Sequence, residues 1–289
     1  MRLRNGGQRM NARVMGDAFV AGWQIKWQAH CDDLVVDFES VQVRKDTTDR
    51  LLSWPVRPAK SGNALRAEVL QDDVAWNPDA NMGKGADIAG GWRAEAVGPT
   101  ENQSNHSVRY EWSTLLDPSY AVDPRLADGT RTWQVIFQWH QGDKDQGGSP
   151  PVAFIIAGDH IYLDVHTVKS GASVQVGQWP LATLDRGTWH DFAAEIKWHR
   201  TDGTIKLWHN GQAVTFAPVA SPASPGTMFP SSATDTLANL TTLFPPKAGS
   251  SRPSSVYLKV GLYRRAANTT PSQTFVVYHD EICRYEWAP

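Results

Sequence analysis

The sequence has little of several features that define whole classes of protein. Its 289 residues include only 2 cysteines, Cys31 and Cys283, which is too few for a disulfide framework or a cysteine-based zinc site. The longest apolar runs, such as Pro151–Ala157, are far shorter than a membrane span. Lys and Arg number 28 against 30 Asp and Glu, which disfavours a nucleic-acid binder of the strongly basic kind.

The chain also lacks the short motifs of several enzyme classes. It contains no Gly-x-Ser-x-Gly, no His-Glu-x-x-His and no glycine-rich phosphate loop ahead of a helix, which argues against serine hydrolases, zinc peptidases and nucleotide-binding enzymes. Retaining glycosidases need two carboxylates about 5 Å apart. Because Glu68, Glu95 and Glu111 occur singly, a sandwich glycosidase is disfavoured.

Residues 1–22 contain arginines but no apolar stretch of the length that a secretory signal needs. We interpret them as an N-terminal extension, for which disorder is one interpretation, ahead of a single domain over residues 23–289. Three explanations stay open: a signal has been removed or replaced, export follows another route, or the protein remains inside the cell.

Aromatic residues, glycine and proline are plentiful. The 13 Trp, 9 Phe and 7 Tyr suit β-sheets, and 23 Gly with 18 Pro supply many turns. The dipeptides Asp202-Gly203 and Asn210-Gly211 are hairpin signals, so about 190–216 should form a three-stranded meander. Further strands are predicted at about 34–39, 64–70, 92–97, 107–116, 133–140, 160–168, 256–264 and 274–287. This spacing, without a convincing long helix, predicts an all-β sandwich or jelly roll.

One long segment lies outside this regular pattern. The segment 218–255 holds seven prolines and many Ser and Thr, and an irregular connection of this length is usually functional or mobile. We predict a Pro/Ser-rich loop there; a disordered surface loop is the alternative.

The two cysteines lie near opposite ends of the chain. If the first and last strands are neighbours, Cys31 and Cys283 could form a disulfide, and two free buried thiols are equally compatible with the sequence.

Side chains alternate along a strand, so the face turned away from the core can be read from the sequence. In Trp133–His140 we expect Trp133, Val135, Phe137 and Trp139 on one face, with Phe137 and Trp139 in the core, and Gln134, Ile136, Gln138 and His140 on the other. The outward faces of two further strands carry His160, Tyr162, Asp164 and His166, and Tyr257, Lys259, Gly261 and Tyr263. Imidazoles and phenols transfer protons and also pack against sugars. An idle polar surface is the competing interpretation.

Four motifs, in this order, are similar to those of the heparin lyase I-like polysaccharide lyases, which include glucuronan lyases. They are Gly91-Trp-Arg93-Ala-Glu95, then Gln138-Trp139-His140 followed by Ser149-Pro150-Pro151, then the hairpin from Trp189 to Gly211, and Tyr257-Leu-Lys259-Val-Gly261-Leu-Tyr263. The likeness spans about residues 34–287. It implies a concanavalin-type β-jelly roll, in agreement with the strand pattern.

The resemblance implies β-elimination at a uronic acid, with His140 and Tyr263 as base and acid. Lys259 would lower the pKa of Tyr263, and Gln138 would hydrogen-bond the substrate carboxylate. These four residues should therefore line one groove. The residues expected to bind substrate are Arg93, Arg66, Glu95, His160, Tyr162, His166 and Tyr257. Arg93 or Arg66 would pair with the carboxylate, and Glu95 would orient an arginine.

The same resemblance sets expectations about substrate, cofactor and location. The substrate should be an acidic polysaccharide, glucuronan-like first, then alginate-like or glycosaminoglycan chains. No cofactor is required, although several members carry calcium as a structural ion. We expect an extracellular or periplasmic monomer with neither nucleic acid nor membrane as partner. The alternative function is a non-catalytic, lectin-like sugar-binding module of the same fold, which would not need the set His140, Lys259 and Tyr263.

Overall fold

The computed structural model describes residues 23–29, 40–42, 52–56, 58–60, 64–70, 92–121, 133–142, 145–264 and 274–287. Their regular structure is β1 (Trp23–Ala29), β2 (Ser40–Gln42), β3 (Leu52–Val56), β4 (Ala64–Leu70), β5 (Trp92–Glu101), β6 (His106–Leu116), β7 (Gln134–Gln141), β8 (Val152–Ala157), β9 (His160–Lys169), β10 (Ala172–Thr183), β11 (Trp189–Trp198), β12 (Gly203–His209), β13 (Gln212–Ala213), β14 (Val219–Ala220), β15 (Met228–Phe229), β16 (Thr236–Leu240), β17 (Val256–Arg264) and β18 (Thr274–Trp287). Nothing in this part of the chain is a helix that could cross a membrane.

The strands form two large antiparallel sheets and one small one. The nine-stranded sheet has the order β13-β12-β11-β6-β18-β4-β3, with β1 on β18 and β16 on β12. The seven-stranded sheet has the order β10-β9-β8-β7-β17-β5-β2, and β14 pairs with β15. Neighbours in both large sheets are often distant in sequence, which is the connectivity of a jelly roll rather than of a simple meander.

Aromatic side chains from both sheets fill the space between them. Trp112 on β6 stacks on Phe137 of β7 at 4.0 Å between ring centroids and on Phe192 of β11 at 5.4 Å. Trp139 and Trp198 are fully buried beside them. Large rings of this kind contribute both apolar area and favourable ring geometry. The predicted all-β sandwich is confirmed.

Most predicted strands lie where the sequence pattern places them, including the meander, which is β11, β12 and β13. The apolar run Pro151–Ala157 contains an additional strand, β8. It lacks alternation because both of its faces are buried: Phe154 packs in the core and Ile155 lies on the opposite face in a second apolar cluster. The predicted strand at 34–39 and the extension 1–22 lie outside the described residues.

The segment 218–255 packs on the sandwich. It contains β14, β15 and β16, and Leu237, Leu240 and Phe244 are buried. Its backbone also contacts the seven-stranded sheet, because the Ala223 amide donates to the Gln175 carbonyl at 2.9 Å. The apolar residues between the prolines explain why this stretch lies against the body of the protein.

The strand nearest the N-terminus in the described residues, β1, pairs with the last strand, β18, and places Gln28 opposite Cys283. Cys283 is buried as a free thiol, and burial raises its pKa to about 12. Cys31, with which the sequence left both a disulfide and a free thiol open, lies outside the described residues.

Candidate active site

A cleft of about 390 Å³ lies on the outer face of the seven-stranded sheet. It is lined by residues of β7, β8, β9, β10 and β17, by the residue just before β7 and by the connection before β8. These are Trp133, Val135, Gln138, His140, Gly148, Ser149, Pro150, Ala153, Ile155, Asp164, His166, Gln175, Gln178 and Tyr263.

Strand register arranges the residues of this face in rows across the sheet. One row contains Lys259, Gln138, Ala153, Asp164 and Gln178. A second row contains Tyr263, Val135, Ile155 and Tyr162. On one side of the first row, Tyr257 is opposite His140 and His166 is opposite Gln175. The predicted residues Gln138, His140, His166 and Tyr263 therefore lie in one cleft.

The expected faces of β7 were wrong at its start, because the strand contains a bulge. The register with β8 shifts between Val135 and Phe137, so Ile136 is an extra residue, and it packs in the core together with Phe137. The alternation reverses at that point. Trp133 and Val135 consequently join Gln138 and His140 in the cleft, and Gln134 is fully buried.

A second bulge positions Tyr263. The register between β17 and β7 shifts between Val260 and Tyr263, and Gly261 has a φ of +145° with no room for a Cβ beside the Ala94 carbonyl. Only glycine adopts this conformation readily. The carbonyl of Gly261 accepts a hydrogen bond at 3.1 Å from Nε2 of His279, a fully buried residue of the opposite sheet.

Buried charges next to the cleft orient Gln138. The Nε2 amide of Gln138 donates to Oε1 of Glu95 at 2.5 Å, and Nζ of Lys259 lies 3.9 Å from Oε2 of the same carboxylate. A carboxylate accepts only, so Glu95 fixes the side-chain amide with its NH₂ group on that side. Glu95 and Lys259 are each 2% exposed and do not line the cleft. The expectation that Lys259 lines the groove was wrong. Glu95, which was expected to orient an arginine, accepts a hydrogen bond from the side-chain amide of Gln138.

His140 and Tyr263 are held by different contacts. Nδ1 of His140 lies 2.8 Å from the Gln141 carbonyl oxygen. Because a carbonyl can only accept, Nδ1 carries the proton and the lone pair of the neutral ring is on Nε2. The ring of Tyr263 meets Trp133 edge to face at 5.0 Å and packs on the apolar cluster of Val135, Ala153 and Ile155.

The β9–β10 end of the cleft carries a carboxylate and amides. Oδ1 of Asp164 accepts from Nε2 of Gln175 at 2.5 Å, and Oδ2 lies 3.5 Å from Nδ1 of His166. Burial raises the pKa of Asp164, and the charge of His166 and hydrogen bonds from Gln175 and Gln178 oppose the rise. Burial lowers the pKa of His166, which Asp164 partly offsets. Burial therefore favours the neutral form of the imidazole.

Arg66 was wrongly expected near the substrate, because its strand belongs to the other sheet. Arg66 lies on β4 of the nine-stranded sheet, where it forms an ion pair with Glu68. The register of β5 sets the backbone of Arg93 opposite Tyr263, whereas the side chain of Arg93 lies outside the described residues.

Three predicted binding residues lie beside the cleft and not in its lining. Tyr257 packs against His140 at 5.5 Å between ring centroids. Tyr162 contacts the same apolar cluster as Tyr263. His160 lies 5.9 Å from Tyr162 between ring centroids and pairs with Asp159 at 2.7 Å.

Several lining residues were missed as site residues. Trp133 and Val135 were assigned to the core face because bulges leave no clear mark in the hydrophobic pattern. Gln175 and Gln178 belong to β10, which we did not predict, and a third register shift, between Gln175 and Gly177, sets both in the cleft. Asp164 was placed on the correct face, and the adjacent His166 is the signal that could have drawn attention to it. Within the described ranges, no group of three or more His, Cys, Asp or Glu residues is placed to hold a metal ion.

Comparison with known proteins shows the family of the chain. The model of a family described as polysaccharide lyase matches residues 36–283. No curated protein sequence matches the chain. Among solved structures, the chain is similar to an endo-β-1,4-glucuronan lyase from the fungus Trichoderma reesei, with 16% identity, coverage of 91% of this chain and 93% of that chain, and a TM-score of 0.55.

Two alginate lyases are also similar in structure. One, of polysaccharide lyase family 7 from Zobellia galactanivorans, has 14% identity, covers 80% of this chain and 82% of that chain, and has a TM-score of 0.44. The other, from Klebsiella pneumoniae, has 11% identity, covers 93% and 96%, and has a TM-score of 0.47. At such identities the likeness to solved structures concerns the fold, a β-jelly-roll sandwich.

Proposed function

The chain belongs to the polysaccharide lyase family, and we propose that it cleaves a uronic-acid polymer by β-elimination, as the heparin lyase I-like members are expected to do. The observation that carries the proposal is the meeting of Gln138, His140 and Tyr263 in one cleft, on adjacent strands. A sugar-binding module needs shape and hydrogen bonds, whereas proton-transfer groups beside an oriented amide are suited to chemistry.

The reaction requires a base, an acid and a group that stabilises the substrate carboxylate. The C5–H bond breaks and its proton passes to the base, the electron pair forms the C4=C5 double bond, and the C4–O4 bond breaks as O4 takes a proton from the acid. His140 and Tyr263 supply these two functions. The tautomer of His140 leaves the basic lone pair on Nε2.

Gln138 acts on the carboxylate. Neutralising that charge makes the C5 proton more acidic, because the developing negative charge is delocalised onto the carboxylate oxygens. One amide hydrogen of Gln138 is directed at Glu95, and the NH₂ group has a second hydrogen to donate to substrate. Arg93, whose backbone is opposite Tyr263, is proposed to supply a bidentate partner.

Lys259 and Glu95 take supporting roles in this proposal. Their ion pair lies beside Gln138 in the sheet, so the charge of Lys259 stabilises Glu95 as the carboxylate that orients the amide. Trp133, with the cluster of Val135, Ala153 and Ile155, forms an apolar surface on which the flat side of a sugar ring can pack.

The proposal needs no cofactor, because the protein groups provide proton transfer and charge stabilisation. Calcium, if bound, would serve as a structural ion. We propose that the protein acts as a monomer on a soluble acidic polymer, in an extracellular or periplasmic location where such polymers occur. Glucuronan-type chains, then alginate-type chains and glycosaminoglycans, are the candidate substrates.

The test is the ultraviolet absorbance of the 4,5-unsaturated uronate during incubation with a panel of uronate polymers. We expect the absorbance to rise with at least one polymer, and equal numbers of new reducing ends to appear. New reducing ends without the absorbance would indicate a hydrolase. Binding of a polymer without either signal would support the lectin-like alternative.

A further inference from the structure

The cleft described above has an unexpected charge for an enzyme that binds a polyanion. Among the lining residues that the structure describes, the acidic side chain is Asp164, whose pKa burial raises while His166, Gln175 and Gln178 favour its carboxylate form. The nearby cation Lys259 is outside the lining and lies 3.9 Å from Glu95. A uronate polymer therefore meets a negative group at one end of the cleft.

Asp164 is too far from Gln138 to meet the same carboxylate. The two residues are in one row of the sheet with β8 between their strands. Neighbouring strands are about 4.8 Å apart, so the two backbones are separated by about 10 Å. The group that approaches Asp164 belongs to a different part of the polymer, a neighbouring sugar in the direction of β9 and β10.

The surroundings of Asp164 are those of a sugar hydroxyl site. The carboxylate is 8% exposed and accepts from the Gln175 amide at 2.5 Å. Gln178, its partner in the row, also lines the cleft. Sugar hydroxyls donate to carboxylate oxygens and accept from amide NH₂ groups, and a few such polar groups in an otherwise apolar cleft give a ligand its orientation.

We infer that Asp164 makes the β9–β10 end of the cleft a subsite for an uncharged sugar, so that the preferred polymer has a neutral residue next to the uronate that undergoes elimination. The inference rests on the proposed function. A second uronate carboxylate at this position would face Asp164 with like charge, and because Asp164 is 8% exposed, water screens the repulsion poorly. A hydroxyl there would be bound. Polymers in which uronate alternates with a neutral sugar are therefore expected to be better substrates than glucuronan-type and alginate-type homopolymers.

The experiment compares two unsulfated probes: hyaluronan, in which glucuronate alternates with N-acetylglucosamine, and β-1,4-glucuronan, in which every residue carries a carboxylate. The parent protein should show kcat/KM at least about 10-fold higher on hyaluronan. Asp164→Asn preserves the shape of the side chain and removes the charge. It should raise kcat/KM on glucuronan by roughly 10- to 100-fold, without a similar gain on hyaluronan. Asp202→Asn, at an exposed turn between β11 and β12, controls for loss of one negative charge and should leave the ratio unchanged.

The outcomes separate the two proposals. If neither polymer nor any other uronate polymer yields unsaturated ends, the proposed function fails. If products form but the parent prefers glucuronan, or if Asp164→Asn gives the parental ratio with an unchanged unfolding temperature, the inference about the subsite is overturned and the proposed function stands. Since the parental ratio is measured without any variant, a folding defect in Asp164→Asn does not prevent the test.

Discussion

Two strands of this protein carry the same tripeptide pattern and differ in what it does. Arg66-Ala67-Glu68 lies on β4 of the nine-stranded sheet, where Arg66 and Glu68 pair with each other at a partly exposed surface. In Arg93-Ala94-Glu95 on β5, the carboxylate of Glu95 is 2% exposed and accepts from Gln138 of the next strand but one. In the first case the pair neutralises itself, and in the second the carboxylate orients a residue of the cleft.

The outer faces of the two sheets differ in the same way. On the nine-stranded sheet, Arg109 donates to Glu111 at 2.6 Å, and Lys60 pairs with Asp191. The cleft on the seven-stranded sheet is lined mainly by neutral polar groups, namely three amides, two imidazoles and one phenol, beside the carboxyl group of Asp164. Pairs of opposite full charges satisfy each other, whereas neutral polar groups retain capacity to bind a ligand. The polarity of a sheet face is therefore less informative than whether its polar groups neutralise one another.

The largest difference between the faces should appear on removing a phenol oxygen. Tyr263→Phe should lower kcat by roughly 100- to 10,000-fold, the usual contribution of one positioned proton-transfer group. KM should change little, because such a group acts in the transition state. Tyr278→Phe, which removes a phenol that contacts Asp117 on the nine-stranded sheet, is the matched control and should retain parental kcat. Steady-state rates on the cleaved polymer measure both. Parental kcat in Tyr263→Phe would leave His140 as the candidate for proton transfer.

The two arginines of the repeated pattern should respond differently to truncation. Arg93→Ala should lower kcat/KM by roughly 10- to 100-fold, with an increase in KM, because a charge-assisted contact to the substrate carboxylate exists before reaction begins. Arg66→Ala should change kcat/KM by less than about two-fold, since its partner Glu68 is remote from the cleft. Equal losses in both variants would contradict the assignment of Arg93 to substrate binding.

Substitution of Glu95 and Glu68, the glutamates of the two tripeptides, tests folding as well as turnover. Glu95→Gln removes the buried negative charge that pairs with Lys259 and gives Gln138 a neutral amide as its partner. It should lower kcat/KM by about 10-fold and reduce the free energy of unfolding by about 3 kcal/mol. Glu68→Gln should reduce that free energy by about 1 kcal/mol or less with parental turnover. Urea denaturation and initial rates measure these effects. A stable Glu95→Gln protein with parental rates would show that Gln138 is oriented by other contacts.

The smallest effect on turnover should come from substitution of His279, which joins the two sheets through its hydrogen bond to Gly261. Its main effect should be on the pH dependence of stability. His279 is fully buried, and burial lowers its pKa to about 4. Between pH 6.5 and 4 the unfolded chain binds a proton at this residue and the folded protein does not, so stability falls as the pH falls through that range, by about 3 kcal/mol. Thermal unfolding across this range measures the loss. His279→Gln should flatten the dependence, and an unchanged slope would mean that other groups, such as His209, whose pKa burial also lowers to about 4, dominate it.

Sequence reasoning was most successful where a single physical rule applies locally. Alternation of β17 placed Tyr257, Lys259 and Tyr263 on one face and Val256 with its alternate neighbours in the core. The hairpin dipeptides located β11 to β13. Both succeed because side-chain direction and turn geometry depend on neighbouring residues in the chain.

The sequence by itself determined the fold class, the core of most strands and the identity of the proton-transfer candidates. Tertiary structure decided the rest. The bulge at Ile136 reverses the alternation of β7, because whether a strand accommodates an extra residue depends on its pairing with neighbouring strands and not on its own sequence alone. The order of strands in the sheets placed Arg66 and Gln138 on different faces of the molecule and brought Asp164 into the cleft, since residues distant in sequence become neighbours only when the whole sheet has formed.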